Sequence, residues 1–152
     1  MGLITNQHLG LDNTLSYKTR VELNKLPQLI RHISVNMEAL KLTITDDIVF
    51  SVAETIAADN DTILGVEFII PVDKPMISNC HFVFKPKFRL ENAVLMKYCG
   101  KLSEINTVKK TLYEYALDNS KTILTDVYYE IKQLDGDNAV LNAYMGVSGN
   151  SL

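Results

Sequence analysis

The chain has 152 residues, 47% hydrophobic and 22% charged, with a formal net charge of -3 and an isoelectric point near 5.6. Such a chain can bury a core as one compact domain without disulfides or a structural metal, and its composition argues against intrinsic disorder. A mildly acidic sequence with no run of Lys or Arg is also a poor match for a phosphate backbone, so no nucleic-acid partner is expected.

Residues 1–13 carry little periodicity and lead into a first strand, Thr14 to Leu23, where Leu15, Tyr17, Thr19 and Val21 alternate with Ser16, Lys18 and Arg20. Asn24 is placed to cap a helix with Pro27 in its first turn, where a missing N–H costs nothing. Leu26, Leu29, Ile30, Ile33, Met37 and Leu40 form one apolar stripe, with Arg31, His32, Asn36 and Glu38 largely opposite. Alternation returns from Ile48 to Ile56. The acidic interval Ala57 to Asp61 predicts a hairpin turn, and Ile63 to Val72 the returning strand, with Pro71 at its end or edge. Asp73 to Pro86 reads as a linker with room for a short strand at His81 to Phe84.

From Leu90 the order repeats. Leu90 to Tyr98 is strand-like, and Ser103 to Asn119 has helical spacing with Ile105, Val108, Leu112, Tyr115 and Ala116 on one face. Ser103 is placed to cap it, Glu104 suits its positive end, and Lys109, Lys110 and Asp118 fall where water reaches. Thr125 to Leu134 and Asn138 to Val147 form a hairpin around Asp135-Gly136-Asp137. The two halves also match in detail. Leu11-Asp12-Asn13 resembles Leu90-Glu91-Asn92, and at the same offset Lys18 meets Lys97, Leu29 meets Val108, Ile33 meets Leu112, Ile48 meets Val127 and Phe50 meets Tyr129. Past the longer turn of the first half, Ile70-Pro71-Val72 aligns with Met145-Gly146-Val147. The expected organisation is one domain of two strand–helix–strand–strand units, residues 11–73 and 88–148, joined by a linker over 74–87.

No signal peptide or membrane span is expected, since Met1 to Gln7 lacks a basic start and runs such as Phe68-Ile69-Ile70 fall far short of the ~20 residues a membrane helix needs. A cytoplasmic location follows as the expectation. Cys80 and Cys99 are too isolated for a disulfide framework and are expected as buried thiols. His8, His32 and His81 have no metal-ligand spacing, so neither metal nor cofactor is expected. There is no phosphate-cradling Gly-rich loop and no nucleophile elbow. Gly146 to Leu152 is small and polar enough to fray.

Lys97-Tyr98-Cys99-Gly100-Lys101-Leu102-Ser103-Glu104-Ile105, leading into Leu112-Tyr113-Glu114-Tyr115-Ala116, resembles the strand–Gly–helix entry of gyrase-inhibitor-like proteins and of the effector-binding domains of multidrug-responsive transcription activators. Gly65 to Val72 is similar to the closing strand of that superfamily, a Glu followed by alternating apolar residues, Pro and Val. A narrower likeness is to stand-alone Firmicute proteins of this fold with no assigned role, some encoded near polymorphic-toxin genes. The resemblance, over residues 11–148, implies an α+β fold of tandem duplicated βαββ units with pseudo-two-fold symmetry. It further implies a curved antiparallel sheet with two long helices on one face and a ligand cleft between the halves. Members bind amphipathic, often cationic or aromatic molecules against aromatic walls and a buried carboxylate, and some hydrolyse strained electrophiles. This sequence departs at one point: Asn142 stands where the second unit usually has its Glu, while Glu67 holds the equivalent place in the first.

Glu67, between Val66 and Phe68, is therefore the leading site residue, because a desolvated carboxylate either selects a cation or acts as a base. Plain strand alternation offers the competing account, with Glu67 facing water. Tyr17, Phe50, Tyr98, Tyr129 and Tyr144 are the aromatic candidates for ligand contact, with Asn142 beside them. Glu130 is a weaker carboxylate candidate, its simpler account being a surface ion pair with Lys132.

The first reading is a stand-alone module that binds a small amphipathic molecule and has no appended DNA-binding segment. A second is a hydrolase of electrophilic xenobiotics, with Glu67 orienting water and a Tyr donating to the leaving group. A third is a toxin-associated accessory factor without a ligand, with a protein partner or a second copy as its target.

Overall fold

A computed structural model describes residues 2–58 and 61–148. Asp59 and Asn60, inside the expected first hairpin turn, and the tail from Gly149 lie outside the described residues. The fold class is α+β, with six antiparallel strands and two α-helices among the described residues: β1 (Leu3–Glu22), α1 (Leu26–Ala39), β2 (Val49–Ala58), β3 (Asp61–Pro71), β4 (Val83–Lys101), α2 (Asn106–Asp118), β5 (Ile123–Asp135) and β6 (Asn138–Val147). The order strand, short 3-10 turn, helix, strand, strand occurs twice. The chain resolves into two compact units, a first of residues 11–88 and a second of residues 2–10 with 89–148.

Two strands run longer than the spacing of apolar residues predicts. β1 starts at Leu3, inside the segment expected as a lead-in, and β4 starts at Val83, so Pro86 lies within a strand and the linker shrinks. Leu9 and Leu11, 6% and 5% exposed, anchor the early part of β1.

In the first unit β3 is central, pairing with β1 through Leu15 with Ile70 and Tyr17 with Phe68, and with β2 through Phe50 with Phe68. The aromatic side of this sheet packs under α1. Phe68 is fully buried, with ring centroids 6.3 Å from Tyr17 and 6.1 Å from Phe50. Leu26, Ile33 and Met37, the buried stripe of α1, close this core. In the second unit β6 is central, between β4 and β5, and α2 packs on β5 and β6 through Val108, Leu112 and Ala116. Each of the larger side chains withdrawn from water, Ala116 aside, is worth about 1.5–3 kcal/mol.

Neither helix starts as its sequence predicts. Residues 23–25 and 102–104 form 3-10 turns, and neither Asn24 nor Ser103 caps a helix. Ser103 instead bonds the hairpin: its N–H and hydroxyl both reach the carboxylate of Asp137 at 3.2 Å. A turn that already satisfies its amides from the neighbouring hairpin has no need of a local cap. Pro27 does occupy the first turn of α1.

The helices end alike. Lys41 and Ser120 are left-handed, with φ of 60° and 54°. The N–H of Leu42 bonds Met37 O and that of Lys41 bonds Glu38 O, while Lys121 bonds Ala116 O and Ser120 bonds Leu117 O. This is the Schellman arrangement with Lys and Ser in the place glycine usually holds. Relief of the Cβ clash, set against the freer unfolded chain, predicts that Lys41→Gly and Ser120→Gly each stabilise by about 0.5–1 kcal/mol. A urea midpoint that falls in both variants would refute this.

Other details match across the units. Asn13 and Asn92, left-handed at φ 53° and 51°, lie within β1 and β4 at corresponding places. β2 shifts register between Val52 and Glu54, and β5 at the corresponding place between Ile131 and Gln133, with a further shift in β5 between Ile123 and Val127. No helix among the described residues is long and apolar enough to cross a membrane.

Candidate functional site

On each sheet the side turned away from its helix carries a row of three polar residues in hydrogen-bonded register. In the first unit the row is Lys18, Glu67 and Ser51. In the second it is Lys97, Asn142 and Glu130. The two rows differ in where the carboxylate stands: on the central strand in the first, on β5 in the second.

Glu67 is half-buried. Its carboxylate accepts a hydrogen bond from the hydroxyl of Ser16, which is itself only 6% exposed. Val49 (0%), Ser51 (3%) and Ile69 (4%) share its face. Strand alternation predicts that this face of β1 and β3 meets water; Lys18, in register with Glu67, does so, whereas Ser16, Ser51 and Ile69 beside Glu67 are buried.

Glu130 is the larger surprise. The expected partner is present, with Lys132 Nζ 3.5 Å from Oε1, yet Glu130 is 7% exposed rather than a surface group. Asn142 Nδ2 donates to the same oxygen at 3.2 Å. The ion pair is thus lopsided, one end buried and the other, Lys132, an exposed side chain at the register shift of β5.

Of the seven residues singled out from sequence, Glu67, Asn142 and Tyr144 lie on these helix-distal faces. Tyr144, 8% exposed, stands one row beyond Asn142 in register with Leu95 and Tyr128. The other four lie on the helix side. Phe50 and Tyr129, 1% and 2% exposed, are core residues, and Tyr17 packs on Phe68 and Phe82. The hydroxyl of Tyr98 donates to Lys101 O at 2.6 Å. Burial, and then the nearby Tyr113, hold the phenol of Tyr129 well above its usual range. Sequence reasoning gave no weight to Ser16 and Ser51 and discounted Glu130. The available signal was positional, since Ser51 and Glu130 stand at matching places beside Phe50 and Tyr129.

Both cysteines are exposed, against the expectation of buried thiols. Cys80 falls in the connection between β3 and β4. Cys99 points to the helix-distal face and, with Gln133, Asp135 and Asn138, lines a cavity of about 240 Å³ next to the Lys97–Asn142–Glu130 row.

No protein-family model and no curated protein matches the sequence. Solved structures do resemble it. The C-terminal domain of EcmrR aligns over 97% of this chain and 99% of its own length, with 15% identity and a TM-score of 0.63. The chain has an effector-binding-domain fold. EcmrR in its complex with DNA gives 14% identity and a TM-score of 0.64 over 96% of this chain, which spans only 57% of that longer protein. A hydrolase from Listeria innocua aligns over 97% of this chain and 91% of its own, with 12% identity and a TM-score of 0.55. At these identities the likeness establishes the effector-binding-domain fold and nothing finer.

Proposed function

We propose that the protein binds a small amphipathic molecule bearing a positive charge or an aromatic ring, on the helix-distal faces of its sheets. The observation that carries this reading is a pair of carboxylates set in matching cross-strand rows: half-buried Glu67, bonded by the Ser16 hydroxyl, and buried Glu130, bonded by Asn142 and by the exposed Lys132. A carboxylate so held keeps its charge in poor contact with water and gains from a cation that brings little hydration of its own. Leu95, Tyr128 and Tyr144 add apolar and aromatic surface one row away, where a ring adds ~0.5–2 kcal/mol for a well-placed cation. The left-handed Asn pair, the shared helix ends and the matched register shifts support descent of both units from one duplicated βαββ ancestor.

The test is calorimetric titration with tetraphenylphosphonium, a hydrophobic aryl cation. Loss of a charge-assisted contact worth ~1.5–3 kcal/mol predicts that Glu67→Gln and Glu130→Gln each weaken binding by about tenfold or more. Binding that survives both substitutions together, or is absent from the unaltered protein, sinks the proposal.

A hydrolytic reading has one observation in its favour beyond the Listeria neighbour: Tyr144 and Tyr128 stand one row from Glu130, so a carboxylate and a phenol share a face. It requires turnover of a strained electrophile such as an epoxide. Equal, background rates for the unaltered protein, Glu67→Gln and Glu130→Gln would leave binding as the sole role.

A further inference from the structure

We infer that the first unit holds a separate binding site for a flat, uncharged aromatic molecule, in the cavity of about 470 Å³ walled by Tyr17, Phe82 and the last turn of α1. It lies on the helix side of the sheet, opposite the face that carries Ser16 and Glu67. Its size is within the range of small-molecule sites, roughly 300–1,000 Å³.

The rings of Tyr17 and Phe82 have centroids 5.4 Å apart at 44°, a wedge against which a third ring can pack edge and face. Ala39 and Leu40 supply the aliphatic side. The polar lining consists of Asn36, Asn79 and His81, with no Asp, Glu, Lys or Arg. No lining side chain offers an opposite charge to an ion, whereas carboxamides and an imidazole suit the polar edge of a neutral heteroaromatic.

The wall is built before any ligand arrives. Asn79 Oδ1 accepts from the N–H groups of both His81 and Phe82 at 2.8 Å, and the N–H of Asn79 donates to Phe82 O at 2.9 Å. Ser78 Oγ accepts from the N–H of Phe84 at 2.9 Å. A segment ordered in this way costs little further entropy on binding. The matching place in the second unit has no such opening at its floor: Met96 replaces Tyr17 and is 1% exposed, whereas Tyr17 is half-buried. The connection between β3 and β4 thus makes in one unit a cavity that packing closes in the other.

Nile red, flat and uncharged, is the probe. Its emission should rise saturably on titration, and the methyl resonances of Ala39 and Leu40 should shift in the same titration. Ala39 is exposed, so Ala39→Trp fills the cavity without entering the core and should weaken Nile red by at least about tenfold, with Phe82→Leu a second, smaller loss. Glu67→Gln and Glu130→Gln should leave Nile red affinity within about twofold, as independent sites do, whatever they do to tetraphenylphosphonium. The inference is overturned if Nile red does not saturate, if Ala39→Trp and Phe82→Leu both leave its affinity unchanged, or if the Glu variants abolish it. Those outcomes stand apart from failure of the aryl-cation proposal.

Discussion

Replacing Phe68 with alanine should destabilise the protein by about 3–5 kcal/mol, the usual cost of deleting a fully buried aromatic side chain. Phe68 is 0% exposed, lies on the central strand of the first unit, and is the only ring that meets both Tyr17 and Phe50 among the ring contacts described. Its removal withdraws contacts from both flanking strands at once, so the structure can collapse into the gap only by moving β1 or β2. The same strand presents Glu67 on its other side. Aryl-cation affinity should therefore fall with stability in Phe68→Ala, and largely recover in Phe68→Leu, which refills most of the volume. Urea unfolding reads the first effect and calorimetry the second. A loss under about 1 kcal/mol in Phe68→Ala would mean that this core is far more yielding than close packing allows.

The second large effect is with pH. Tyr129 is 2% exposed, and burial keeps its phenol protonated well past the ordinary value of 10.0. A group whose folded pKa is raised above its unfolded one contributes stability that is complete below the unfolded value. That stability is lost as pH rises through the folded value, because the unfolded chain releases the proton first. Stability should hold to about pH 10 and then fall by roughly 1.4 kcal/mol for each further pH unit from this residue alone. Tyr98, raised by burial and then by Glu104, Asp137 and Cys99, is closer to water, and its contribution is correspondingly screened. Urea midpoints between pH 9 and 12 measure the slope, and Tyr129→Phe should flatten it. An unchanged slope in Tyr129→Phe, with Tyr129 absorbance titrating near pH 10, would place that phenol in water.

Much of the fold was legible in local pattern. The stripes of α1 and α2 include all six buried helix residues, Leu26, Ile33, Met37, Val108, Leu112 and Ala116, but are wider than the buried face, since Leu29, Ile30 and Tyr115 are half-buried and Leu40 is exposed. The hairpin at Asp135-Gly136-Asp137 also follows from its residues, with Gly136 at φ 58°. The helix starts were less legible: Ser103 looks like a cap, but its N–H and hydroxyl both donate to the carboxylate of Asp137, which is distant in sequence. Glu130 was misjudged for a similar reason. Asn142, 12 residues on and directly opposite it on the next strand, supplies a hydrogen bond that makes its burial tolerable, and the residues beside Glu130 carry no trace of that.

What the amino-acid order settles by itself is the kind and succession of elements, since periodicity and turn chemistry act between residues a few positions apart. It also carries the matched details of the two units, down to Asn13 with Asn92 and Lys18 with Lys97. Which polar groups lose water was decided only by tertiary structure. Register brings Glu67 beside Ser51 and Asn142 beside Glu130, and covers strand faces that alternation alone assigns to solvent. Burial of a charge depends on partners contributed by other strands, and no local spacing encodes those.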